Sequence, residues 1–238
     1  MAASAEEDPF APSPFVRATG AFEQGDLPQA DALLAPLAAD EAAPAEVFAL
    51  LGRVRLRQNR PAEAAAAFER ALALNPASAP VRSHLGLVLV LQAEVAEGAV
   101  RGALLERARG ELERAVRDEE SCLDAQMGLL RLFLVAPESG PSGAAERCAA
   151  RAAELDPLTA TYEVAELAEQ KGRFDLAERY YAAAHRLFPD NPWIAFKQAT
   201  MLARVGQLAE ARRRLEDLVA RLPGFGPAGD ALRQLPAS

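Results

Sequence analysis

Apolar side chains recur at helical spacing along the stretch from Ala45 to Ser78. A first stripe is formed by Phe48, Leu51, Gly52 and Leu56. A second stripe follows, at intervals of 4, 3 and 3 residues, and is formed by Ala64, Phe68, Ala71 and Leu74. Because side chains three or four residues apart lie on the same face of an α-helix, the two stripes predict two amphipathic helices in succession.

The segment between the two stripes predicts a short connection. Pro61 suits the first turn of a new helix, where an amide donor would have no intrahelical partner in any case. Pro76 is expected to end the second helix, because a proline cannot continue a helix interior. We expect the small residues Gly52 and Ala64 where the two helices approach most closely. The stretch therefore predicts a helix-turn-helix pair.

The same pattern returns with a period of 34 residues. Identical residues recur at this interval in the pairs Leu51 and Leu85, Gly52 and Gly86, Ala30 and Ala64, Gly172 and Gly206, Ala177 and Ala211, and Pro189 and Pro223. Four repeats are in register, at residues 11–44, 45–78, 158–189 and 190–223. The period predicts a chain built from stacked helix pairs rather than one closed core.

The middle of the chain departs from this period. Gly52 precedes Ala64 by 12 residues, but in the third repeat Gly86 precedes the corresponding Ala108 by 22. The third repeat therefore holds about ten extra residues around 94–103, which predict a lengthened second helix or a bulge before it. The fourth repeat holds extra residues at 136–143, where two prolines and two glycines predict a loop. We therefore expect insertions in repeats three and four.

The repeat resembles the tetratricopeptide repeat (TPR) family. That family has a small residue in its first helix, followed in the second helix by an alanine, a large aromatic residue and another alanine, with a closing proline. Gly52, Ala64, Phe68, Ala71 and Pro76 match this pattern. The resemblance implies an all-α, right-handed solenoid of about six TPR repeats. It covers residues 11–223, preceded by a flexible leader at 1–10 and followed by a capping helix or tail at 224–238.

The resemblance also implies a concave groove lined by the first helix of each repeat, in which TPR proteins hold a peptide, helix or subunit of a partner. The candidate partner-binding residues are Arg53, Arg57, Ser83, His84, Leu87, Gln126, Leu129, Tyr162, Glu163, Glu166, Phe196, Lys197, Thr200 and Arg204, with Phe133 beside Leu129. This order predicts a ligand that is acidic toward repeat two, apolar in its middle and basic toward repeat five.

Two alternatives stay open for this surface. Leu87, Leu129 and Phe133 could instead be buried by neighbouring helices. TPR proteins that clamp the terminal carboxylate of a chaperone carry a lysine and an asparagine in one first helix, and this sequence lacks both at the matching places. A different carboxylate pocket built from Arg53, Arg57 and His84 is left open.

Composition and charge exclude several other functions. The 238 residues carry a formal net charge of −8 with a sequence pI near 5.0, so general nucleic-acid binding is disfavoured. The only histidines, His84 and His185, fall in different repeats, which predicts neither a metal site nor a nucleophile with a histidine base. The run Arg212-Arg213-Arg214 falls on a second helix and is expected to be a solvated charge run. No cofactor is expected, and no membrane-inserted segment.

These observations favour a non-enzymatic adaptor or scaffold whose partner is another protein or a subunit of a complex. The alternative is an assembly or secretion chaperone that shields an apolar segment of its client. A homo-oligomer is left open, and an enzyme is disfavoured.

No export signal is visible, which favours the cytoplasm, or the periplasm if a leader was removed. The preference for arginine over lysine, with abundant alanine, is typical of a GC-rich bacterial genome.

Overall fold

The computed structural model describes residues 12–236, so the expected flexible leader at 1–10 lies outside the described residues. The described part is all-α and contains no strand. Its helices are α1 (Pro14–Glu23), α2 (Leu27–Ala38), α3 (Ala45–Arg57), α4 (Pro61–Leu74), α5 (Ala79–Val95), α6 (Gly98–Asp118), α7 (Leu123–Val135), α8 (Ala144–Leu155), α9 (Thr159–Gln170), α10 (Phe174–Leu187), α11 (Pro192–Arg204), α12 (Leu208–Arg221) and α13 (Gly226–Gln234). The expected fold class, an all-α helical-repeat solenoid, is confirmed.

The chain forms two compact units, which meet in sequence within α7. The first ends at Gly128 and the second begins at Leu129. In the first unit, the helices pack as successive pairs, α1 with α2, α3 with α4, and α5 with α6, and each pair packs on the next. Its core includes Ala18, Leu34, Leu51 and Val54, all nearly or wholly excluded from solvent.

Polar side chains and prolines define where several helices begin. Ser13 Oγ accepts a hydrogen bond from the Val16 amide at 3.3 Å and caps α1. Asp26 caps α2 by accepting from the Gln29 amide at 3.0 Å. Pro61 occupies the first position of α4, as its sequence context predicts. Ser13 and Asp26 satisfy amides that a helix leaves unpaired at its N-terminus, and Pro61 has no amide N–H to leave unpaired.

The turn inside several pairs needs a residue in the left-handed backbone region. Gly25 and Asn59 have φ values of 81° and 58° and lie 34 residues apart, and Gly172 and Gly206, with φ values of 75° and 87°, repeat the same relationship. Because a Cβ atom disfavours this region, glycine and asparagine are the residues that occur there most often.

Close packing between the helices of a pair explains the glycine in the first helix. A Cβ atom at Gly52 would lie 2.5 Å from the Phe68 ring, and one at Gly86 would lie 2.5 Å from Leu112 and 3.3 Å from the carbonyl oxygen of Ala108. The pairing of Gly86 with Ala108 is the register that the sequence predicts across the insertion. The extra residues therefore leave in place the close contact of Gly86 on α5 with Ala108 and Leu112 on α6.

The insertion in the third repeat lengthens both helices. α5 has 17 residues and α6 has 21, which confirms the predicted lengthening of the second helix. Val95 and Val100 flank the α5–α6 turn and are 86% and 64% exposed. The second predicted insertion, at 136–143, is a loop with a short 3-10 helix at Pro137–Ser139, as expected.

In the second unit, α9 packs with α8 and α10, and α11 packs with α10 and α12. The predicted C-terminal helix is present as α13, which packs on α11 and α12. Its Ala228 joins a cluster with Ala199, Leu215 and Leu218. Within residues 12–236, none of the helices combines the length and apolar character that crossing a membrane requires.

Candidate partner-binding surfaces

Two arginines of α3 stack on one aromatic ring of α1. The guanidinium carbons of Arg53 and Arg57 lie 4.6 Å and 5.0 Å from the centroid of the Phe22 ring. Arg57 also donates a hydrogen bond through Nη1 to the carbonyl oxygen of Phe22 at 3.2 Å. Both arginines are exposed. Cation–π contact and this hydrogen bond hold two positive charges side by side at the surface.

The charge of these two arginines is not neutralised within the first unit. On the other side of α3, Asp31 accepts hydrogen bonds from Arg55 at 3.5 Å and from Arg60 at 2.7 Å. In the part of the chain that the structure describes, neither Arg53 nor Arg57 forms such an ion pair. In a protein with net charge −8, this pair is a local positive surface that favours an acidic ligand.

An open depression of about 480 Å³ lies beside Arg53. It is lined by Ala49, Arg53, Phe68, Pro80, Val81, His84 and Asp124. The His84 ring lies 5.6 Å from the Phe68 ring, and its Nδ1 atom lies 2.6 Å from the carbonyl oxygen of Pro80. Two of the residues predicted from sequence, Arg53 and His84, therefore share one cavity.

Four of the predicted groove residues are buried instead of lining a surface. Ser83, Gln126, Leu129 and Phe133 are between 1% and 7% exposed. Ser83 donates a hydrogen bond to the carbonyl oxygen of Pro80 at 2.8 Å, so its hydroxyl is used within its own helix. Leu87 is half-buried. Leu129 and Phe133 therefore pack in the interior, which corrects the predicted apolar middle of the groove at these two positions, whereas Leu87 stays partly exposed.

In the second unit, Lys197 of α11 pairs with a carboxylate that the sequence did not single out. Lys197 Nζ lies 2.9 Å and 3.1 Å from the two carboxylate oxygens of Glu169 on α9. The fully buried Tyr181 donates its hydroxyl to the same carboxylate at 2.6 Å. Burial and this hydrogen bond raise the pKa of Tyr181. Lys197 therefore contributes to a structural network as well as to the surface.

Tyr162 packs edge-on against Tyr181, with 5.9 Å between ring centroids. Burial is the main cause of the raised pKa of Tyr162, and a hydrogen bond with Glu166 raises this pKa further.

A depression of about 360 Å³ in the second unit is lined by Glu166, Glu169, Gln170, Phe174, Lys197 and Arg204. The guanidinium of Arg204 lies over the Phe174 ring at 5.3 Å. The structure thus brings together three predicted residues, Glu166, Lys197 and Arg204, and adds Glu169 and Phe174.

The remaining predicted residues of this unit do not join that depression. Phe196 is half-buried and contacts the rings of Trp193 and Phe225, at centroid distances of 6.1 Å and 5.9 Å. Thr200 donates its hydroxyl to the Lys197 carbonyl oxygen at 2.8 Å, and Glu163 is exposed on α9. Within residues 12–236, no group of three or more histidine, cysteine, aspartate or glutamate side chains is arranged to hold a metal ion.

Comparison with known proteins places these helix pairs in context. Models of the tetratricopeptide repeat match residues 45–78, 138–192 and 168–235, which together make up more than half of the chain. Over 70 residues, or 29% of its length, the chain is 37% identical to cellulose synthase operon protein C of Pseudomonas fluorescens (strain SBW25). The match spans 5% of that protein, so the chain corresponds to a small part of it.

Solved structures share the fold. A thermophilic TPR protein of Thermus thermophilus superposes with a TM-score of 0.65 at 21% identity, covering 80% of this chain and 97% of that one. PilW, a type IV pilus biogenesis factor, superposes with a TM-score of 0.68 at 16% identity, covering 92% of this chain and 96% of that one. The repeat pattern, the helix pairs and these matches show that the chain belongs to the tetratricopeptide repeat family, whose fold generally serves as a non-catalytic scaffold for protein–protein interaction.

Proposed function

We propose that this protein is an adaptor that binds an acidic segment of a partner protein on the surface formed by Arg53 and Arg57. The observation that carries the proposal is the pair of exposed guanidinium groups stacked on Phe22, neither of which forms an ion pair with a described carboxylate. Guanidinium groups bind carboxylates with two parallel hydrogen bonds, so this pair suits consecutive or nearby acidic side chains.

The depression beside Arg53 supports the same proposal. Its lining includes Ala49 and Val81 beside the buried Phe68, so an apolar side chain of the partner segment has a place next to the charged contact. Charged groups at the edge with an apolar centre are the usual composition of a protein-binding surface. The chaperone alternative depends on an apolar groove centre, and the burial of Leu129 and Phe133 leaves that alternative without specific support.

A library of random peptides, selected on the full-length chain, tests this function. We expect the selected peptides to be enriched in aspartate and glutamate. Affinity for one selected peptide is then measured by fluorescence anisotropy with the wild type and with the double variant Arg53→Glu, Arg57→Glu. Loss of two charge-assisted contacts should weaken binding by about tenfold or more.

The matched control reverses two exposed arginines elsewhere in the same unit. Arg114→Glu with Arg117→Glu changes the net charge of the protein by the same amount but lies on α6. We expect this control to bind the peptide like the wild type, apart from a small general charge effect. Peptides without acidic enrichment, or equal loss of binding in both double variants, would show that the arginine pair is not the binding surface.

A further inference from the structure

A second basic region lies in the second unit, on α10, α11 and α12. These helices enclose a cavity of about 300 Å³ that is lined by His185, Ala195, Arg213, Arg214, Asp217, Leu218 and Arg221. The lining residues therefore include three guanidinium groups and one carboxylate, and two further carboxylates, Glu210 and Asp190, lie beside these arginines. The cavity is independent of the Arg53 surface, and none of the candidate partner-binding residues lines it.

The structure divides the arginine run at 212–214 into different roles. Arg212 donates to the carbonyl oxygens of Leu235 and Pro236, at 3.4 Å and 2.8 Å, and so holds the residues that follow α13. Arg213 and Arg214 line the cavity and both donate to Glu210, at distances of 2.8–2.9 Å. The run is therefore not merely a solvated charge run.

Arg221 keeps its hydrogen-bond donors available for a ligand. Its guanidinium nitrogens lie 3.7 Å from Asp217 and 3.9 Å from Asp190. These distances allow electrostatic attraction but exceed the range of a hydrogen bond. Arg221 is about half exposed and is one of the residues that line the cavity, so its planar donor group can reorient toward an anion.

His185 adds an uncharged donor to the same cavity. Its Nδ1 atom is buried and has no hydrogen-bond partner among the described residues. Burying an N–H group without an acceptor costs more free energy than burying a lone pair, so the proton of the neutral ring belongs on Nε2. Burial lowers the pKa of His185, and the positive charges of Arg214 and Arg221 lower it further. The ring is therefore a neutral donor in a positive field.

We propose that this cavity binds a phosphate monoester group. Such a group is dianionic near neutral pH and carries three strong acceptor oxygens, which match several convergent donors better than a single carboxylate does. Arg221 and His185 supply the direct hydrogen bonds, and Arg213 and Arg214, which share Glu210 as a carboxylate partner, supply the positive charge that Glu210 leaves uncompensated. Ala195 and Leu218 provide an apolar wall against which the ester carbon packs.

Nuclear magnetic resonance of the full chain, labelled in its histidine rings, tests the proposal. Inorganic phosphate and a phosphoserine-containing peptide are titrated separately, with sodium acetate as the carboxylate control. The sequence has two histidines, so His84 in the first unit serves as an internal reference. We expect saturable shifts of the His185 ring with both phosphate probes, and weaker effects with acetate. Tighter binding of the peptide than of inorganic phosphate would identify a phosphorylated protein as the source of the group.

Two substitutions make the experiment specific. Arg221→Gln should weaken phosphate binding by about tenfold, because it removes a charge-assisted contact. Arg179→Gln removes an exposed arginine of α10 that does not line the cavity and should bind like the wild type. Equal shifts of His84 and His185, unchanged binding in Arg221→Gln, or tighter binding of a short oligonucleotide than of the phosphoserine peptide would overturn the proposal.

Discussion

The Phe68 ring occupies the space that a Cβ atom of residue 52 would need. Such an atom would lie 2.5 Å from Phe68 Cε1, closer than van der Waals contact allows. The helices α3 and α4 therefore depend on a glycine at this position, although glycine is a poor helix former. Local helix propensity and tertiary packing oppose each other here, and packing decides the residue.

We expect Gly52→Ala to lower the free energy of unfolding by about 1–3 kcal/mol, because the added methyl group overpacks the contact with Phe68. Gly110→Ala is the matched control, since this glycine lies within α6 and has no atom within 4 Å of an added Cβ. The control should raise stability by about 0.5–1 kcal/mol through helix propensity alone. Urea unfolding followed by circular dichroism measures both, and equal changes of the same sign would contradict the packing argument.

Glu169 should stabilise the second unit through its two partners. Glu169→Ala leaves the hydroxyl of the fully buried Tyr181 without its acceptor and removes the partner of Lys197. We expect a loss of about 1–3 kcal/mol in urea unfolding. Glu154→Ala removes an exposed ion pair with Arg151 and should change stability by less than about 1 kcal/mol. A loss as small in Glu169→Ala would mean that solvent replaces both partners.

Stability should fall on mild acidification because of His185. Its pKa in the folded protein is lowered, first by burial and then by Arg214 and Arg221. The unfolded state therefore binds the proton more readily, and the stabilisation is lost as the pH falls below the ordinary histidine pKa of about 6.5. Chemical unfolding at about pH 7.5 and about pH 5.5 should show a smaller loss for His185→Gln than for the wild type. The wild type, His185→Gln and His84→Gln could instead all lose the same stability between the two pH values. That result would show that the protons taken up on unfolding bind to groups other than the two histidines.

The effect of substitutions at Gly206 on stability should depend only on the backbone conformation that each residue tolerates in this turn. Its φ value is 87° and no atom lies within 4 Å of an added Cβ, so Gly206→Ala introduces strain without a steric contact. We expect a loss of about 1–2 kcal/mol in thermal or urea unfolding. Gly206→Asn should lose less, because asparagine tolerates this region and Asn59 occupies the equivalent turn. An alanine variant as stable as the asparagine variant would argue that the turn adjusts.

Much of the fold was predictable because repeat patterns report local geometry. The spacing of Phe48, Leu51, Ala64 and Phe68 predicted one helix pair, and the 34-residue period extended that prediction to its neighbours. The alignment of Gly86 with Ala108 across the insertion was also correct. Such features follow from the periodicity of an α-helix and from the need for small residues where helices approach.

The candidate surface was predicted only in part. Arg53, His84, Glu166, Lys197 and Arg204 do line depressions within their own units. Ser83, Gln126 and Leu129 do not, because each residue turns a helix by about 100° and an error of two positions moves a side chain from the surface to the interior. Glu169 was missed because nothing in the repeat pattern marks a carboxylate that accepts hydrogen bonds from two different helices.

The amino-acid sequence by itself determined the helix pairs, their period, the family and the positions of the insertions, since all of these depend on residues close together along the chain or on a repeated spacing. Tertiary structure alone decided which charges find partners. Asp31 and Glu63 pair with Arg55 and Arg60, whereas Arg53 and Arg57 stack on the ring of Phe22. Ion pairing depends on distances between side chains of different helices, and those distances are set only when the helices pack.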